Sequence, residues 1–464
     1  MSIVGAVMVP HPPIIVPEIG RGEEKKIRRT AEAYGAAARF AAALRPETIV
    51  VLSPHSVMYR DWFHVSPGAG AAGDFGRFGA GDVRFSVRYD EALTDELCRR
   101  ARRAGVPAGT EGERDAALDH GTMVPLYFLR RAYGDEPLPP IVRVGLSGFP
   151  LPEHYRLGML LRDAADALGR RVAVVASGDL SHRLKADGPY GFRAEGPEYD
   201  EKIMDVMGRA AFGELFGFSE AFCGAAGECG HRSFTIMAGC FDGASVRAEP
   251  LSHEGPFGVG YGVVLFTPGA PDGSRRFLDA ETAAEAEKLR ARKEKEDEYV
   301  RLARLSVETY VRTGRAAALP DGLGEGLTGR RAGAFVSLHL RGQLRGCIGT
   351  TEPTADCLAR EILRNAVSAC SRDPRFPPVA PEELPALEYS VDVLGESEPV
   401  ASAAALDVRR YGVIVESGGR RGLLLPDLEG VDTPEEQIAI ARRKAGIGPD
   451  EPVSLRRFEV VRHV

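Results

Sequence analysis

Three histidines each follow a stretch of sequence that is typical of a buried strand. His11 ends "GAVMVPH", His55 follows "IVVLSP", and His182 follows "RVAVVASGDLS". In open α/β sheets, ligands bind at the edge formed by the carboxyl ends of the parallel strands. We therefore expect these three imidazoles to converge on one crevice. A fourth histidine, His120 in "LDHGTMVPLYFL", stands at the predicted start of a helix.

The residue types in this pattern suit metal chemistry. A lone histidine near an apolar run is more often structural, but three at equivalent strand ends favour a site. Two neutral imidazoles and one carboxylate form the ligand set that binds Fe(II) and leaves positions open for O2 and substrate. A histidine that is not a ligand can serve as a general base, because its pKa lies near neutrality. Three prolines flank His11 and restrict its backbone, so the imidazole is positioned before a metal arrives.

The elements that must position these histidines are strands alternating with helices. This alternation over residues 1–270 predicts a layered α/β domain whose sheet is largely parallel. The main strand predictions are residues 2–9, 47–55, 140–147, 171–179 and 261–269, and the main helix predictions are 24–44 and 152–169.

A change of composition follows the last of these strands. Residues 269–277, "GAPDGSRRF", are typical of a linker. Residues 271–314 predict a charged helical linker, either one long helix or a helix pair, whose second half packs on the segment that follows. Residues 315–464 mix strands and helices and predict a smaller, second α+β domain.

Composition excludes several classes of function. The chain has 464 residues, 44% of them hydrophobic and 27% charged, and its formal net charge is −7. This charge does not favour nucleic acid or anionic membranes as partners. No apolar run approaches the roughly 20 residues that span a bilayer, and prolines interrupt the apolar N-terminus, so we expect neither a membrane span nor a secretory signal. Seven scattered cysteines without a CxxC pair predict a reducing, cytoplasmic environment.

Four motifs in the first 268 residues carry a family resemblance. In order, they are "VPHPP", "SPHS", "DHGTMVPL" and "SGDLSH". Together they resemble the class III extradiol dioxygenase superfamily, which includes the catalytic subunit of protocatechuate 4,5-dioxygenase and the MEMO-like proteins. The resemblance implies that residues 1–270 have the layered α/β fold of the extradiol dioxygenase catalytic subunit. It also implies an oxidoreductase that uses O2 and a phenolic or related small-molecule substrate.

The resemblance assigns roles to individual residues. It implies that His11 and His55 bind Fe(II) and that His182 is the base that deprotonates the substrate. It places His120 near the substrate or O2. It also matches Asp179 to an acidic residue beside the metal in MEMO-like proteins.

The third metal ligand is left open between two neighbours in "GAAGECGHRSFTIMAGCF" (224–241), Glu228 and Cys229. Ring-cleaving relatives use a glutamate at such a helix start, whereas MEMO has a cysteine followed by glycine. A carboxylate suits Fe(II), and a thiolate suits softer metals such as Cu(I). Fe(II) is thus the expected cofactor, with copper or another transition metal as the alternative. Glu228 completes the usual triad, and adjacent residues do not easily reach the same ion.

The C-terminal segment carries a second resemblance. "LRGCIGT", "RNAVSACSRDPRFPPV", "EELPALEYSVDVL" and "RRGLLLPDLEGVDTPEEQIAIARRKAGI" resemble the AMMECR domain. A MEMO-like unit fused to an AMMECR unit resembles the AmmeMemoRadiSam system proteins. That resemblance implies association with a radical SAM enzyme as a partner.

The second domain has two groups of candidate residues, Cys347 with the neighbouring Arg345, and a loop that carries Arg372 and Arg375. Arg345, two residues before Cys347, can lower the pKa of a thiol. A nucleophile also needs a base, and His339 is the nearby candidate. Arg372 and Arg375 lie on a proline-stiffened loop that either binds a carboxylate or phosphate or forms an internal salt bridge. A buried structural cysteine is the competing interpretation.

Three hypotheses follow. The first is a non-haem iron protein of the extradiol type that oxidises a phenolic substrate with O2. The second is a metal-binding or redox protein without ring cleavage. The third is a scaffold, in which a former dioxygenase fold serves a radical SAM partner.

Overall fold

The computed structural model describes residues 2–340, 342–428 and 430–464, which divide into two compact units at residues 283 and 284. Besides short 3₁₀ turns, the elements of the first unit are β1 (Ile3–Val9), α1 (Pro17–Gly20), α2 (Arg28–Ala43), β2 (Thr48–Ser53), β3 (Phe63–His64), β4 (Gly70–Phe75), β5 (Ala80–Arg88), α3 (Glu91–Arg103), β6 (Ala108–Gly109), α4 (His120–Tyr133), β7 (Ile141–Gly145), α5 (Leu151–Leu168), β8 (Val172–Ser177), α6 (Glu195–Gly208), α7 (Glu220–Ala226), α8 (His231–Gly239), β9 (Ala244–Glu254), β10 (Tyr261–Pro271) and α9 (Phe277–Lys295), within which the division falls.

The first unit is built on a six-stranded sheet with the order β7-β2-β8-β1-β10-β9. Strands β7, β2, β8 and β1 are parallel, whereas β10 runs antiparallel to β1 and β9 antiparallel to β10. The α/β class and the five predicted strands are confirmed. Strand β9 was not predicted, because its mixed exposed and half-buried pattern lacks the apolar run that marks the central strands.

Helices cover both faces of this sheet, which explains why the parallel strands are apolar throughout. Along β1, Ala6 and Met8 pack in the core beneath α5 and α8, while Val7 and Val9 pack beneath α2 and α4. Successive side chains of a strand point to opposite faces, so a strand covered on both sides shows no alternation of apolar and polar residues.

The sheet order places three strand ends side by side. Strands β2, β8 and β1 are neighbours and parallel, so their last residues, Ser53, Ser177 and Val9, lie at the same edge. His55 and His11 follow two residues after the ends of β2 and β1. The topology therefore delivers both imidazoles to one edge of the sheet.

Two glycines bring α5 and α8 into backbone contact behind this edge. A Cβ on Gly158 would lie 1.9 Å from the carbonyl oxygen of Ile236, and one on Gly239 would lie 2.0 Å from that of Tyr155. Only residues without a side chain allow so close an approach. The contact sets the position of α8, whose first turn borders the site.

The second unit contains an antiparallel sheet with the order β12-β11-β13-β17-β15-β16, and β14 pairs with β17. Its α+β class is as predicted. The elements are α10 (Glu298–Thr313), α11 (Glu325–Thr328), β11 (Ala334–Leu340), β12 (Gln343–Gly349), α12 (Leu358–Ser371), β13 (Leu387–Leu394), β14 (Glu398–Val400), β15 (Tyr411–Ser417), β16 (Arg420–Leu424), α13 (Pro434–Lys444) and β17 (Ser454–His463).

The predicted helical linker forms a helix pair, α9 and α10. Leu302 and Val307 of α10 are buried in the core of the second unit, which confirms the predicted packing, whereas Leu305 is 42% exposed. Helix α10 therefore lies inside the second unit rather than before it. Among the described residues, no helix combines the length and the apolar character that a membrane crossing requires.

Replacing Gly158 by alanine is expected to lower the free energy of unfolding by about 1–3 kcal/mol, because the new methyl group forces α5 and α8 apart. Urea and thermal unfolding of the full chain measure this change. Gly224 in α7 is the matched control, since a Cβ there meets no atom within 4 Å. Equal stability of Gly158→Ala and Gly224→Ala would contradict the close helix contact.

Candidate metal centre

His11 is held by the ends of two strands. It is 1% exposed, and its backbone N–H donates to Oδ1 of Asp179 at 2.8 Å. Its Nδ1 lies 2.9 Å from Oγ of Ser177, and this hydroxyl donates to the carbonyl oxygen of Gly121 at 2.6 Å. Because a hydroxyl has one hydrogen, Ser177 accepts from His11, which assigns the proton of the neutral ring to Nδ1. Nε2 of His11 keeps its lone pair.

Nitrogen, sulfur and oxygen donor atoms converge on this Nε2. Nε2 of His55 lies 3.0 Å away, Sγ of Cys229 3.5 Å and Oδ2 of Asp179 4.0 Å. His120 also belongs to the group, because its ligand atom and those of His11 and His55 lie within 4.8 Å of one another. Imidazole nitrogens with a thiol and a carboxylate are ligands of transition metals, so these residues fit such an ion.

Asp119 positions two of these histidines. It caps the N-terminus of α4, accepting from the backbone N–H of Thr122 at 3.0 Å, and His120 is the first residue of that helix. The same Oδ1 accepts from the hydroxyl of Ser53 at 2.5 Å, and Ser53 accepts from the backbone N–H of His55 at 3.3 Å. One carboxylate thus connects the loop after β2 to the start of α4.

A buried arginine stands behind Asp119. Arg143 lies in the middle of β7 and is 1% exposed, with Nη1 3.8 Å from Asp119 and Nη2 3.6 Å from Glu113. Sequence reasoning missed Arg143, Ser53 and Ser177. The signals were present, because a charge inside "IVRVGL" and a serine at the end of a buried strand both need a buried partner.

The side chains of Glu228 and Cys229 contact different parts of the structure. Oε2 of Glu228 accepts from the backbone N–H of His231 at 2.6 Å and so caps α8. Within the described ranges, no hydrogen bond or ion pair joins Glu228 to His11, His55 or His120. Cys229 faces His11, and its Sγ accepts from the backbone N–H of Asp179 at 3.3 Å. The thiol therefore borders the donor cluster, and the carboxylate stabilises the helix start.

A glycine pair explains why Cys229 reaches the site. A Cβ on Gly178 would stand 2.1 Å from Cα of Gly230, so the loop after β8 and the start of α8 touch through their backbones. This approach brings Cys229 beside Asp179 and His11.

Burial determines the protonation states. Burial lowers the pKa of His11 well below its usual value, with the charges of neighbouring histidines adding to the effect. Burial also lowers the pKa of His120 to about 4, so its ring is neutral at pH 7. Burial raises the pKa of Asp179 to about 7 and that of the Cys229 thiol well above its usual value. A bound cation favours the deprotonated thiol and carboxylate.

His182 lies beside this cluster with a free nitrogen. Burial and the charge of His55 lower the pKa of His182 to about 4. Its buried Nε2 has no hydrogen-bond partner among the described residues, and its ring lies 5.1 Å from that of Tyr190, centroid to centroid. A neutral imidazole with an unused nitrogen can accept a proton.

A cavity of about 1420 Å³ opens beside His55 and His120. Phe78, on the turn between β4 and β5, forms part of its wall and contacts the His120 ring edge-on at 5.5 Å. This volume exceeds the usual range of small-molecule sites, about 300–1,000 Å³.

The candidate residues of the second unit have different partners in the structure. Arg345 forms a two-point ion pair with Glu383, at 2.7 and 2.9 Å, and so is occupied internally. Arg372 is exposed and its side chain has no partner among the described residues. Arg375 donates to the carbonyl oxygen of Cys347 at 3.1 Å. Within the described ranges, no hydrogen bond joins the proposed base His339 to that cysteine.

The sheet and its donor cluster define the first unit as an α/β protein with a histidine-rich centre at the carboxyl edge of its parallel strands. A sequence model described as the catalytic LigB subunit of aromatic ring-opening dioxygenase matches residues 5–264, and one described as AMMECR1 matches residues 300–463. The chain belongs to this LigB family and carries an AMMECR1 domain at its C-terminus. The predicted fusion of the two units is thereby confirmed.

Similar proteins include one that matches the whole chain and others that match about a third of it. A protein of Clostridium acetobutylicum is 39% identical over 471 residues, a match that covers 100% of this chain and 99% of that protein. A Thermotoga maritima protein is 52% identical over 170 residues, 36% of this chain and 98% of its own. The crystal structure of an uncharacterised Pyrococcus horikoshii protein is 34% identical with a TM-score of 0.34, covering 35% of this chain and 88% of that one.

Replacing Ser177 by alanine is expected to weaken binding of a divalent metal by about 10–100-fold, because His11 loses the partner that orients its ring. Anaerobic titration with Fe(II) or Co(II) measures the affinity. Ser56→Ala is the control, since the buried Ser56 hydroxyl next to His55 has no hydrogen-bond partner among the described residues. Unchanged affinity in Ser177→Ala would contradict the assigned role of this hydrogen bond.

Proposed function

We propose that the first unit binds Fe(II) and oxidises a phenolic substrate with O2. The observation that carries this proposal is the convergence of the His11 and His55 nitrogens, 3.0 Å apart, with a thiol and a carboxylate around them. Membership of a family described by aromatic ring opening supports the reaction class. The adjoining cavity supports a small-molecule substrate.

In this proposal His11, His55 and Cys229 hold the ion, and Asp179 lies beside it. When bound, Fe(II) supplies the Lewis acidity and the electron that O2 chemistry requires. Nε2 of His11 has a free lone pair for the ion, because Nδ1 carries the proton and donates it to Ser177. Neutral imidazoles need no deprotonation before binding, whereas the Cys229 thiol must release its proton when the ion binds.

The proton chemistry belongs to His182 and His120 in this proposal. Both rings are neutral at pH 7, because burial lowers the pKa of each to about 4. His182 has an unused buried nitrogen that accepts the phenolic proton. His120 forms part of the cavity wall, where its ring borders the substrate together with Phe78.

His11→Ala and His55→Ala are expected to abolish stoichiometric Fe(II) binding, and Cys229→Ala to weaken it. Glu228→Gln is expected to retain full binding, because an amide oxygen still caps α8. Anaerobic equilibrium dialysis with metal analysis measures these affinities. If Glu228→Gln loses iron while Cys229→Ala keeps it, the third ligand is Glu228, and the assignment of Cys229 is wrong.

His182→Gln is expected to lower turnover by about 10²–10⁴-fold, the usual contribution of a general base, while the iron content stays the same. His182 is in its base form above its pKa of about 4. Turnover of the native protein is therefore retained at neutral pH and lost as the pH falls through that value. Oxygen uptake with a catechol from pH 3 to 8 measures this. A loss of iron in His182→Gln would point to a ligand instead.

The thiol of Cys229 favours a second candidate, a metal-binding or redox protein without ring cleavage, because thiolates suit softer ions such as Cu(I). Competition between Fe(II), Cu(I) and Zn(II), followed by oxygen uptake with a catechol, separates the two. Stoichiometric metal without oxygen uptake or a ring-opened product supports the second candidate. The radical SAM partner stays a prediction, which copurification from cells tests.

A further inference from the structure

The imidazole of His182 is positioned by its backbone rather than by a hydrogen bond of its own. Within the part of the chain that the structure describes, the ring makes no hydrogen bond, and its buried Nε2 has no partner. The ring contacts only that of Tyr190 among the aromatic side chains described, and Tyr190 is 60% exposed. A general base must point at the proton that it removes. The residues on either side of His182 must therefore set this direction.

Ser181 fixes the backbone on both sides of His182. Ser181 is buried, and its hydroxyl donates to the carbonyl oxygen of Ala226, the last residue of α7, at 2.8 Å. The same hydroxyl accepts from the backbone N–H of Arg183 at 2.9 Å. The carbonyl oxygen of Ser181 accepts from the backbone N–H of Gly260 at 2.8 Å. His182 thus lies between two residues whose main-chain groups are already paired.

Asp200 completes this arrangement from α6. It is 2% exposed, and its Oδ1 accepts from the backbone N–H of Ser181 at 2.8 Å. Its Oδ2 lies 3.0 Å from Nε2 of His253 in β9, a side chain that is 38% exposed. A Cβ on Gly260 would lie 1.9 Å from this Oδ2, so the carboxylate lies directly against the backbone. Helix α6 and strand β9 therefore meet the His182 loop at one carboxylate.

The burial of this carboxylate has a free-energy cost. Burial raises the pKa of Asp200, and the hydrogen bonds from His253 and Ser181 oppose this rise. An uncharged residue would avoid the cost. A charged acceptor, however, binds a backbone N–H more strongly than a neutral one does. The buried charge therefore has a use in fixing the loop that carries His182.

We propose that Asp200, with His253 as its partner, is a positioning residue that binds Ser181 and so directs the His182 ring toward the substrate. This inference rests on the proposed function, in which His182 accepts the phenolic proton. Asp200 belongs to α6 and His253 to β9, whereas the candidate metal ligands follow β1 and β2 and precede α8. The pair can therefore be changed without removing a candidate ligand.

Oxygen uptake with a catechol, with the iron content measured for every variant, tests this role. Asp200→Ala is expected to lower kcat by up to about 100-fold, the cost of misplacing a base by about 1 Å, with little change in KM. Asp200→Asn should retain most of the turnover, because an amide oxygen still accepts from Ser181. Asp205→Ala is the matched control, because Asp205 lies on the same helix and pairs with the exposed Arg209.

A double-mutant cycle separates positioning of the base from general support of the fold. If Asp200 acts through His182, Asp200→Ala has no further effect on kcat in the His182→Gln background. A purely structural role lowers kcat by the same factor in both backgrounds. That result, or a native kcat in the folded Asp200→Ala variant, overturns the proposal.

Diethyl pyrocarbonate, which modifies neutral imidazoles, gives a readout that does not need turnover. Peptide mass spectrometry follows the modification rate at His182, which we expect to rise several-fold in Asp200→Ala and to stay at the native value in Asp205→Ala. A native, iron-loaded protein without oxygen uptake would contradict the proposed function alone. The rate at His182 then decides the positioning role, and a native rate in the folded Asp200→Ala variant overturns it.

His253→Ala replaces Asp200→Ala if the latter does not fold, because His253 is the partly exposed member of the pair. The same changes in kcat and in the modification rate of His182 are expected, but smaller, since Asp200 loses one of its two partners. Native values of both quantities in His253→Ala would then overturn the proposal.

Discussion

The hydrogen bond between Nδ1 of His11 and the hydroxyl of Ser177 is the interaction on which the candidate metal centre depends. It joins the ends of two parallel strands, and through the carbonyl oxygen of Gly121 it also joins the first turn of α4. The same bond places the proton of His11 on the nitrogen that faces away from the other donors. Position and tautomer are therefore set by one buried serine.

A contact between backbones determines which of the two residues, Glu228 or Cys229, faces the site. The loop after β8 meets the start of α8 at Gly178 and Gly230, with no side chain between them. Because of this close approach, Cys229 lies against His11. Glu228 accepts a hydrogen bond from the backbone N–H of His231 at the start of α8. A helix start leaves its first N–H groups without partners, so a carboxylate there has a structural use before any catalytic one.

The two units use buried polar groups in a similar way. In the first unit, Asp119 and Arg143 support the loops that carry His55 and His120. In the second, Asp373 supports Cys347 and Arg375. Hydrogen bonding to Arg375 holds the pKa of Asp373 down at about 2, which keeps the carboxylate charged at neutral pH. Charged groups supported in this way hold functional side chains in fixed positions.

The sequence by itself determined the α/β and α+β classes, the central strands and the histidines at their ends, because apolar runs and strand-end residues are local patterns. It could not decide between Glu228 and Cys229, or show that Arg345 is occupied by Glu383 while Arg375 borders Cys347. Those outcomes depend on contacts between segments distant in the chain, such as Gly178 against Gly230. Only the tertiary structure determines which polar atoms are already paired and which remain available for a ligand.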